Sequence, residues 1–272
     1  MSPALKALVW LLQKAPSHWR RPVGKIPGVR SLADRLYPRR PEVFALPKPL
    51  EGHRMRLHWK SRKGIVFGTW EPEVVEVIER VVCPGQLAVD VGGHVGYFTL
   101  LLAKQVGPLG QVVAFEPNPE IFETLKENVA LNGYGNVTLE KKAVADRPGE
   151  VELMLSSGSP FEGIDSIISD PGPGRRIRVP TVTLDDYFAH ISRPVGFVKI
   201  DIEGAETLAL SGMSRILNHD RPPVVVELHG LVGRPETHPA LFKLEAAGYG
   251  VSVLDVAGTR AHVLAEPKHT DG

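Results

Sequence analysis

The chain has little cysteine: one residue, Cys83, in 272. A lone thiol excludes an internal disulfide and cannot build a cysteine-based zinc cage, so a reducing cytoplasm is the expected setting. Long hydrophobic runs are missing as well. The longest nearly uncharged apolar run near the start, Leu8 to Leu12, is too short to cross a bilayer. No small-residue cleavage site follows it, so no signal peptide is expected. No internal repeat is visible. The apolar fraction of 43% and charged fraction of 23% sit close to soluble globular averages, which excludes wholesale disorder. A length of 272 residues suits one α/β domain with an extension, or two small domains.

The net charge of +1 hides an asymmetry. Residues 1–66 hold 15 Lys+Arg against 3 Asp+Glu, a balance of +12. Residues 67–272 hold 17 against 28, a balance of −11. All four tryptophans (Trp10, Trp19, Trp59 and Trp70) lie in the first 70 positions. Such polarity marks a boundary between parts with different partners. The expected division is a basic Pro/Arg/Trp-containing extension, 1–66, and a catalytic or binding domain, 67–272. Ala4–Gln13 and Ser31–Leu36 suit short helices between prolines, and residues 53–67 read as strand and turn.

From Trp70 the pattern becomes regular. Pro72 opens a helix carrying Val74, Val75, Ile78 and Val81 at helical spacing, stopped by Pro84-Gly85. Leu87–Val91 is a strand, His94–Gln105 a helix, Gln111–Phe115 a second strand, Glu120–Asn132 a helix and Val137–Ala145 a third strand. Strand–helix alternation of this kind predicts a doubly wound parallel sheet. Glu150–Leu155 and Ile177–Val182 suggest an inserted hairpin around the Gly/Ser/Pro-rich loop Ser156–Gly174, a candidate lid beside the acceptor pocket. Gly196–Ile202 and Val224–His229 read as further central strands with a helix over Ala205–Leu217 between them. Gly250–Val256 and Ala261–Ala265 read as an antiparallel hairpin.

The first strand-to-helix turn reads Asp90-Val91-Gly92-Gly93-His94-Val95-Gly96. Glycines there let the backbone turn tightly and approach a ligand. Glu116 closes the second strand, 26 residues after Asp90, where a carboxylate can accept hydrogen bonds from both hydroxyls of a ribose. A nicotinamide cofactor fits less well. Its fingerprint is G-x-G-x-x-G, whereas Gly92, Gly93 and Gly96 give G-G-x-x-G, and Asp90 would repel a pyrophosphate. S-adenosylmethionine has an ammonium group, a ribose and no phosphate, and suits the site better.

The stretches VDVGGHVGYFTLLLA (89–103), AFEPNPEIFETLKENVALNG (114–133), TVTLDDYF (181–188), VGFVKIDIEGAETLALSG (195–212) and VVVELHG (224–230) together resemble the FkbM family of S-adenosylmethionine-dependent methyltransferases. They cover about residues 70–230, in the family's order. His94 departs from the general methyltransferase loop D-x-G-x-G-x-G at its middle glycine, where this family commonly carries a larger polar residue. The resemblance implies a Rossmann-like class I methyltransferase sheet, mostly parallel with an antiparallel C-terminal hairpin. It further implies methyl transfer to a hydroxyl of a sugar, glycolipid or polyketide-type metabolite. Carried over, Asp90, Gly92, Gly93 and Gly96 belong to the cofactor loop, and Glu116 holds the ribose with help from Asn118. Ala143 and Val144 border the adenine. Asp146 reaches its exocyclic amine or caps the Arg147–Gly149 turn.

The run Lys199-Ile200-Asp201-Ile202-Glu203-Gly204-Ala205-Glu206 places unusual charge at the end of a central strand. Alternation puts Lys199 and Asp201 on one face. Charge inside a covered sheet is costly unless paired, so Lys199 is expected to pair with Glu227 or Asp201. Glu206 reads as a first-turn helix acid. Asp201, Glu203 and His229 are the expected catalytic residues, because ligands of open parallel sheets bind at the strands' carboxyl ends. An alcohol is about as weak an acid as water, whose pKa is about 15.7. A positioned base, His229 or Asp201, would contribute ~10²–10⁴-fold. A divalent metal on Asp201, Glu227 and His229 is the less favoured alternative, and no metal ligand is assigned.

The leading expectation is therefore a cytoplasmic S-adenosylmethionine-dependent O-methyltransferase. The competing one is a non-catalytic methyltransferase-fold module tethered through its basic segment. A nucleic-acid substrate is not expected, because the catalytic part is acidic and carries no Asn-Pro-Pro-Tyr-type motif. Residues 1–66 either dock on this protein's own acidic domain or contact anionic membrane peripherally, with Trp10, Trp19 and Leu8–Leu12 at the headgroup layer.

Overall fold

Seven strands form the central sheet, and five of them are the apolar runs seen in the sequence. The computed structural model describes residues 41–58, 62–155, 175–231 and 234–268. The Ser156–Gly174 loop and residues 1–40, with the two expected short helices, lie outside the described residues.

In chain order the elements begin with an antiparallel ribbon, β1 (Glu42–Ala45) and β2 (Arg54–Leu57), then helices α1 (Lys63–Phe67) and α2 (Pro72–Val81). β3 (Leu87–Val91), α3 (Tyr97–Val106), β4 (Gln111–Phe115), α4 (Pro119–Leu131) and β5 (Val137–Glu140) follow. Next come β6 (Ala143–Val144), β7 (Gly149–Leu155), β8 (Arg175–Val182) and α5 (Leu184–Tyr187). The last part holds β9 (Val195–Ile200), α6 (Glu206–Ser211), β10 (Val224–Leu228), α7 (Pro239–Ala246), β11 (Tyr249–Ala257) and β12 (Arg260–Pro267).

The large sheet has the order β11-β12-β10-β9-β3-β4-β5. β5, β4, β3, β9 and β10 are mutually parallel, and β12 enters antiparallel between β10 and β11. The sheet is therefore the Rossmann-like α/β sheet expected, with its reversed C-terminal strand. From β3 the chain winds outward through β4 and β5, then returns to β9 and winds the other way. The crevice beside β3 is the switch point at which such sheets bind ligands.

Side-chain alternation divides the core in two. Ala88 of β3 joins Val74, Ile78, Leu100, Leu101 and Leu125 of α2, α3 and α4 on one face. Leu87, Val89 and Val91 join Leu184, Ala209, Leu241 and Leu244 of α5, α6 and α7 on the other. Phe44, Met55, Leu57, Ile65 and Val66 are buried in the first of these clusters, so the chain contributes to this core well before residue 67. The β1–β2 ribbon is fastened to α4 by two asparagines one turn apart. Asn128 Oδ1 accepts from Arg56 N at 2.6 Å, and Asn132 Oδ1 accepts from Arg54 N at 2.9 Å. Their amide nitrogens donate back to the same residues' carbonyls, so the side chains act as a surrogate strand on the ribbon's edge.

Several elements differ from expectation. Within residues 53–67, expected as strand and turn, Lys63–Phe67 forms the short helix α1. The third strand is not continuous from Val137 to Ala145. It breaks after Glu140, and Ala143–Val144 pairs instead with β8 in a separate sheet ordered β6-β8-β7. The helix expected over Ala205–Leu217 ends at Ser211, with a π-helical turn at Ile216–Asp220 beyond it. Gly212 lies so close to the Ala145 carbonyl that a Cβ there would collide with it, and the chain bends at that contact.

Candidate functional site

A cavity of about 610 Å³ opens at the carboxyl ends of β3, β4, β9 and β10. One end is built by the loop after β3. Gly92 has φ +87° and sits against the Asp201 carbonyl, where any Cβ would collide, and Gly96 has φ +96°. Both require glycine for these reasons. Between them His94 adopts φ 47° although it carries a side chain, and this delays the helix start to Tyr97 rather than His94. Gly92 N and Gly93 N both donate to the Phe115 carbonyl at 2.9 Å, tying the loop to β4.

Glu116, buried at the end of β4, lines the same end of the cavity. Its Oε2 accepts from His94 N and its Oε1 from Asn118 N, each at 2.9 Å. Two backbone amides thus fix the carboxylate's orientation before any ligand arrives. Gly93, Ala143, Val144 and Leu153 complete that wall, so the pair expected at the adenine does face the cavity. Three other expected cofactor residues sit elsewhere. Asn118 is fully buried and caps α4, its Oδ1 accepting from Glu120 N and Ile121 N. Gly96 lies under the loop against Leu125. Asp146 is exposed, 4.0 Å from Arg147, and is not among the lining residues.

Asp90 is also beneath the cavity rather than in it. It is fully buried; Oδ2 accepts from Thr99 Oγ1 at 2.6 Å and Oδ1 lies 4.0 Å from Lys199 Nζ. Burial pushes its carboxyl up. Lys199 stands between Asp90 and Asp201, with Nζ 3.3 Å from Asp201 Oδ2 and over the Phe98 ring at 4.7 Å. Burial opposes its charge, but Asp201 and Asp90 hold the ammonium above its ordinary range. Burial likewise opposes ionisation of Asp201, yet Lys199 and His229 hold its carboxyl well below the usual carboxylate range. Of the expected pairings for Lys199, Asp201 is the one formed at ion-pair distance.

The other end of the cavity is charged. Arg62, Glu71, Lys199, Asp201, Glu203, Glu227 and Arg260 face it beside Trp70 and Tyr97. His229, expected as a base, sits behind these carboxylates and does not line the cavity. Its Nδ1 is 2.8 Å from Glu206 Oε1, and its Nε2 is 3.0 Å from Glu203 Oε2. Burial works against the imidazolium, but its hydrogen bonds to Glu203 and Glu206 push its pKa up to about 10. These two carboxylates favour the imidazolium form, which pairs with Glu206 through Nδ1 and with Glu203 through Nε2. The metal set considered from sequence, Asp201, Glu227 and His229, also comes together, its ligand atoms within 4.8 Å of one another, with His229 Nε2 3.9 Å from Asp201 and 3.7 Å from Glu227.

Sequence reasoning missed several residues. Glu206 does open α6 as a first-turn acid, but it is fully buried and also accepts from Gly204 N at 2.8 Å, which its sequence position does not show. Arg62 reaches across from the basic segment to place Nη2 2.7 Å from His94 Nε2 and its guanidinium over Trp70. Burial and Arg62 push the His94 pKa down to about 3, so the imidazole is neutral and accepts this bond. Nothing in local pattern joins position 62 to 94. Four described residues other than glycine have clearly positive φ, and three of them, Glu71, His94 and Glu203, line this cavity. Strained backbone gathers at functional sites, and here it aims three polar side chains inward.

A glycine loop against a buried carboxylate, on this strand order, defines the class: an S-adenosylmethionine-dependent methyltransferase. The chain belongs to the FkbM family, because the pattern of the Methyltransferase FkbM domain matches residues 90–251, more than half its length. Among characterised relatives it is 44% identical over 119 residues to a protein-L-isoaspartate O-methyltransferase of Aeropyrum pernix, covering 38% of this chain and 41% of that one. It is 33% identical over 67 residues to an arsenite methyltransferase of Halobacterium salinarum, covering 25% and 17%. These matches span less than two thirds of the relatives' own length. Among solved structures, the methyltransferase FkbM from Methylobacillus flagellatus KT aligns at 18% identity and TM-score 0.46, over 75% of this chain and 52% of that one. A Thermotoga maritima S-adenosylmethionine-dependent O-methyltransferase aligns at 15% and 0.47, over 74% and 67%. No described helix is long and apolar enough to cross a membrane.

Proposed function

We propose that the protein is an O-methyltransferase acting on a hydroxyl of a sugar, glycolipid or secondary metabolite. The observation that carries this reading is the polarity of one continuous cavity. Its Glu116 end is walled by apolar residues, and its Glu203 end is lined with carboxylates suited to a hydroxyl-bearing acceptor. S-adenosylmethionine fits the first end: Glu116 would take the ribose hydroxyls, Ala143, Val144 and Leu153 the adenine, and the Gly92–Gly93 backbone the close approach of the chain. When bound, the cofactor supplies an electrophilic methyl on sulfur.

The protein's own part is to position the acceptor and remove its proton. We assign that role to Glu203; it lines the cavity and His229 stands 3.0 Å from it, which supports the reading. Asp201, ion-paired with Lys199, suits the cofactor's ammonium. His229 and Glu206 are positioning residues. Holding acceptor oxygen and methyl in line supplies much of the acceleration. The test is transfer of labelled methyl from S-adenosylmethionine to a panel of polyhydroxylated acceptors. Transfer abolished by Glu203→Gln with cofactor affinity unchanged supports the reading. Tight cofactor binding with no turnover on any alcohol would replace it with a non-catalytic module.

A further inference from the structure

Beside the main cavity lies a second one of about 240 Å³, bordered by Glu71, Glu73, Glu227, Asp255, Arg260 and His262. Glu227 of β10 and His262 of β12 are directly opposed in the antiparallel register, so their side chains share one face of the sheet. Glu71 reaches them from the residue before α2, whose backbone is left-handed at φ 37°, ψ 59°. His262 Nε2 is 3.4 Å from Glu71 Oε2 and 3.6 Å from Glu227 Oε2.

These separations exceed the 2.7–3.2 Å of an ordinary N–H···O hydrogen bond. Apart from this loose ion pair, Glu71 Oε2 and His262 Nε2 are buried without a well-formed hydrogen bond. Buried polar atoms left this way call for an explanation. Ligand atoms at about 2.0–2.2 Å from a tetrahedral metal ion stand roughly 3.3–3.6 Å apart, which matches both separations from His262. All three atoms lie within 4.8 Å of one another. Arg260 Nη1 binds the other oxygen of Glu227, Oε1, at 2.9 Å, leaving Oε2 turned toward His262. The arginine and an ion would therefore use different oxygens of one carboxylate.

We propose that Glu71, Glu227 and His262 form a binding site for a divalent first-row metal ion. One imidazole nitrogen and two carboxylate oxygens suit manganese, cobalt or zinc. Three protein ligands leave at least one coordination position open. Glu71, Glu227 and Arg260 line both cavities, so the ion stands at the acceptor end of the main cavity. If the O-methyltransferase reading holds, the open position takes an acceptor oxygen; binding of the ion itself does not depend on that reading.

The test uses the full chain, stripped with chelator, dialysed and titrated with Mn²⁺. Electron paramagnetic resonance counts bound ions, and pulsed measurements detect nitrogen coupled to them. The expected result is one ion per chain with a single coupled imidazole nitrogen. His262→Gln removes the coupling, and His262→Gln or Glu71→Gln weakens binding by at least ~10-fold. His229→Gln leaves both coupling and affinity in place. No binding at millimolar Mn²⁺, or coupling that survives His262→Gln and vanishes in His229→Gln, overturns the proposal. Should the variants fail to fold, protection of His262 in the unaltered protein from diethylpyrocarbonate by Zn²⁺ decides: protection supports the site, and its absence refutes it.

Discussion

Replacing Lys199 with methionine would remove the one cation lying between Asp90 and Asp201 while keeping most of the stem's packing against Phe98. Lys199 is 2% exposed and Asp90 fully buried. Breaking one partner from a buried ion pair leaves an uncompensated charge and costs about 3–5 kcal/mol. That is a large part of the 5–15 kcal/mol that holds a typical domain together. At roughly 2–4 °C per kcal/mol for a domain of this size, the melting temperature should fall by roughly 6–20 °C. Urea unfolding should show a lower midpoint with an unchanged slope. Asp90→Asn in the Lys199→Met background should restore part of the loss, because the stranded charge is then gone. The expected coupling is about 0.5–3 kcal/mol. The destabilisation should also shrink in acid. In the variant, Asp90 has a folded pKa raised above its unfolded one, so its relative stability is greatest at low pH and lost as pH rises through the folded value. A loss below about 1 kcal/mol, or a double variant no better than the single one, would refute the account of Lys199.

Glu116→Gln should weaken S-adenosylmethionine binding by removing charge-assisted bonds worth about 1.5–3 kcal/mol each, a drop of ten-fold or more by calorimetry; unchanged affinity in a folded variant would take Glu116 out of the site. His94 has a folded pKa of about 3 against about 6.5 unfolded, so it contributes stability that is full above pH ~6.5 and lost as pH falls towards 3. His94→Asn, which tolerates positive φ, should flatten that acid limb in denaturant titrations between those pH values. Asn128→Ala should cost about 2–4 kcal/mol, since it strands the Arg56 amide and the Val95 carbonyl. Liposome flotation tests the basic segment: the intact chain should float on anionic vesicles at low salt and lose this at higher salt, while no flotation leaves docking within the protein.

The parallel strands were legible because each is a short apolar run closed by glycine or acid, and such runs depend on local sequence alone. The break in Val137–Ala145 was not, because Ala143 and Val144 leave the sheet to pair with Thr181 and Val182, which are distant in sequence. The glycine loop and Glu116, both marked in the sequence, meet at one end of the cavity. Asp90 and Asn118 lie in the expected neighbourhood but one layer beneath the cavity: the first is paired with Thr99 and Lys199, the second caps α4. For His229 the sequence shows the residue type but not its surroundings. Only the fold reveals Glu203 and Glu206 on its two nitrogens. The contributions of Arg62, Glu71 and His262 rest on cross-chain proximity that no local spacing encodes.

The central claim is that the cavity at the ends of β3, β4, β9 and β10 holds S-adenosylmethionine with its methyl toward Glu203. A crystal structure with bound S-adenosylhomocysteine tests it most directly. The account predicts the ribose hydroxyls on Glu116, the adenine between Val144 and Leu153, and the sulfur facing the Asp201–Glu203 end. A ligand bound with its sulfur turned away from those carboxylates, or seated outside this cavity, would contradict it.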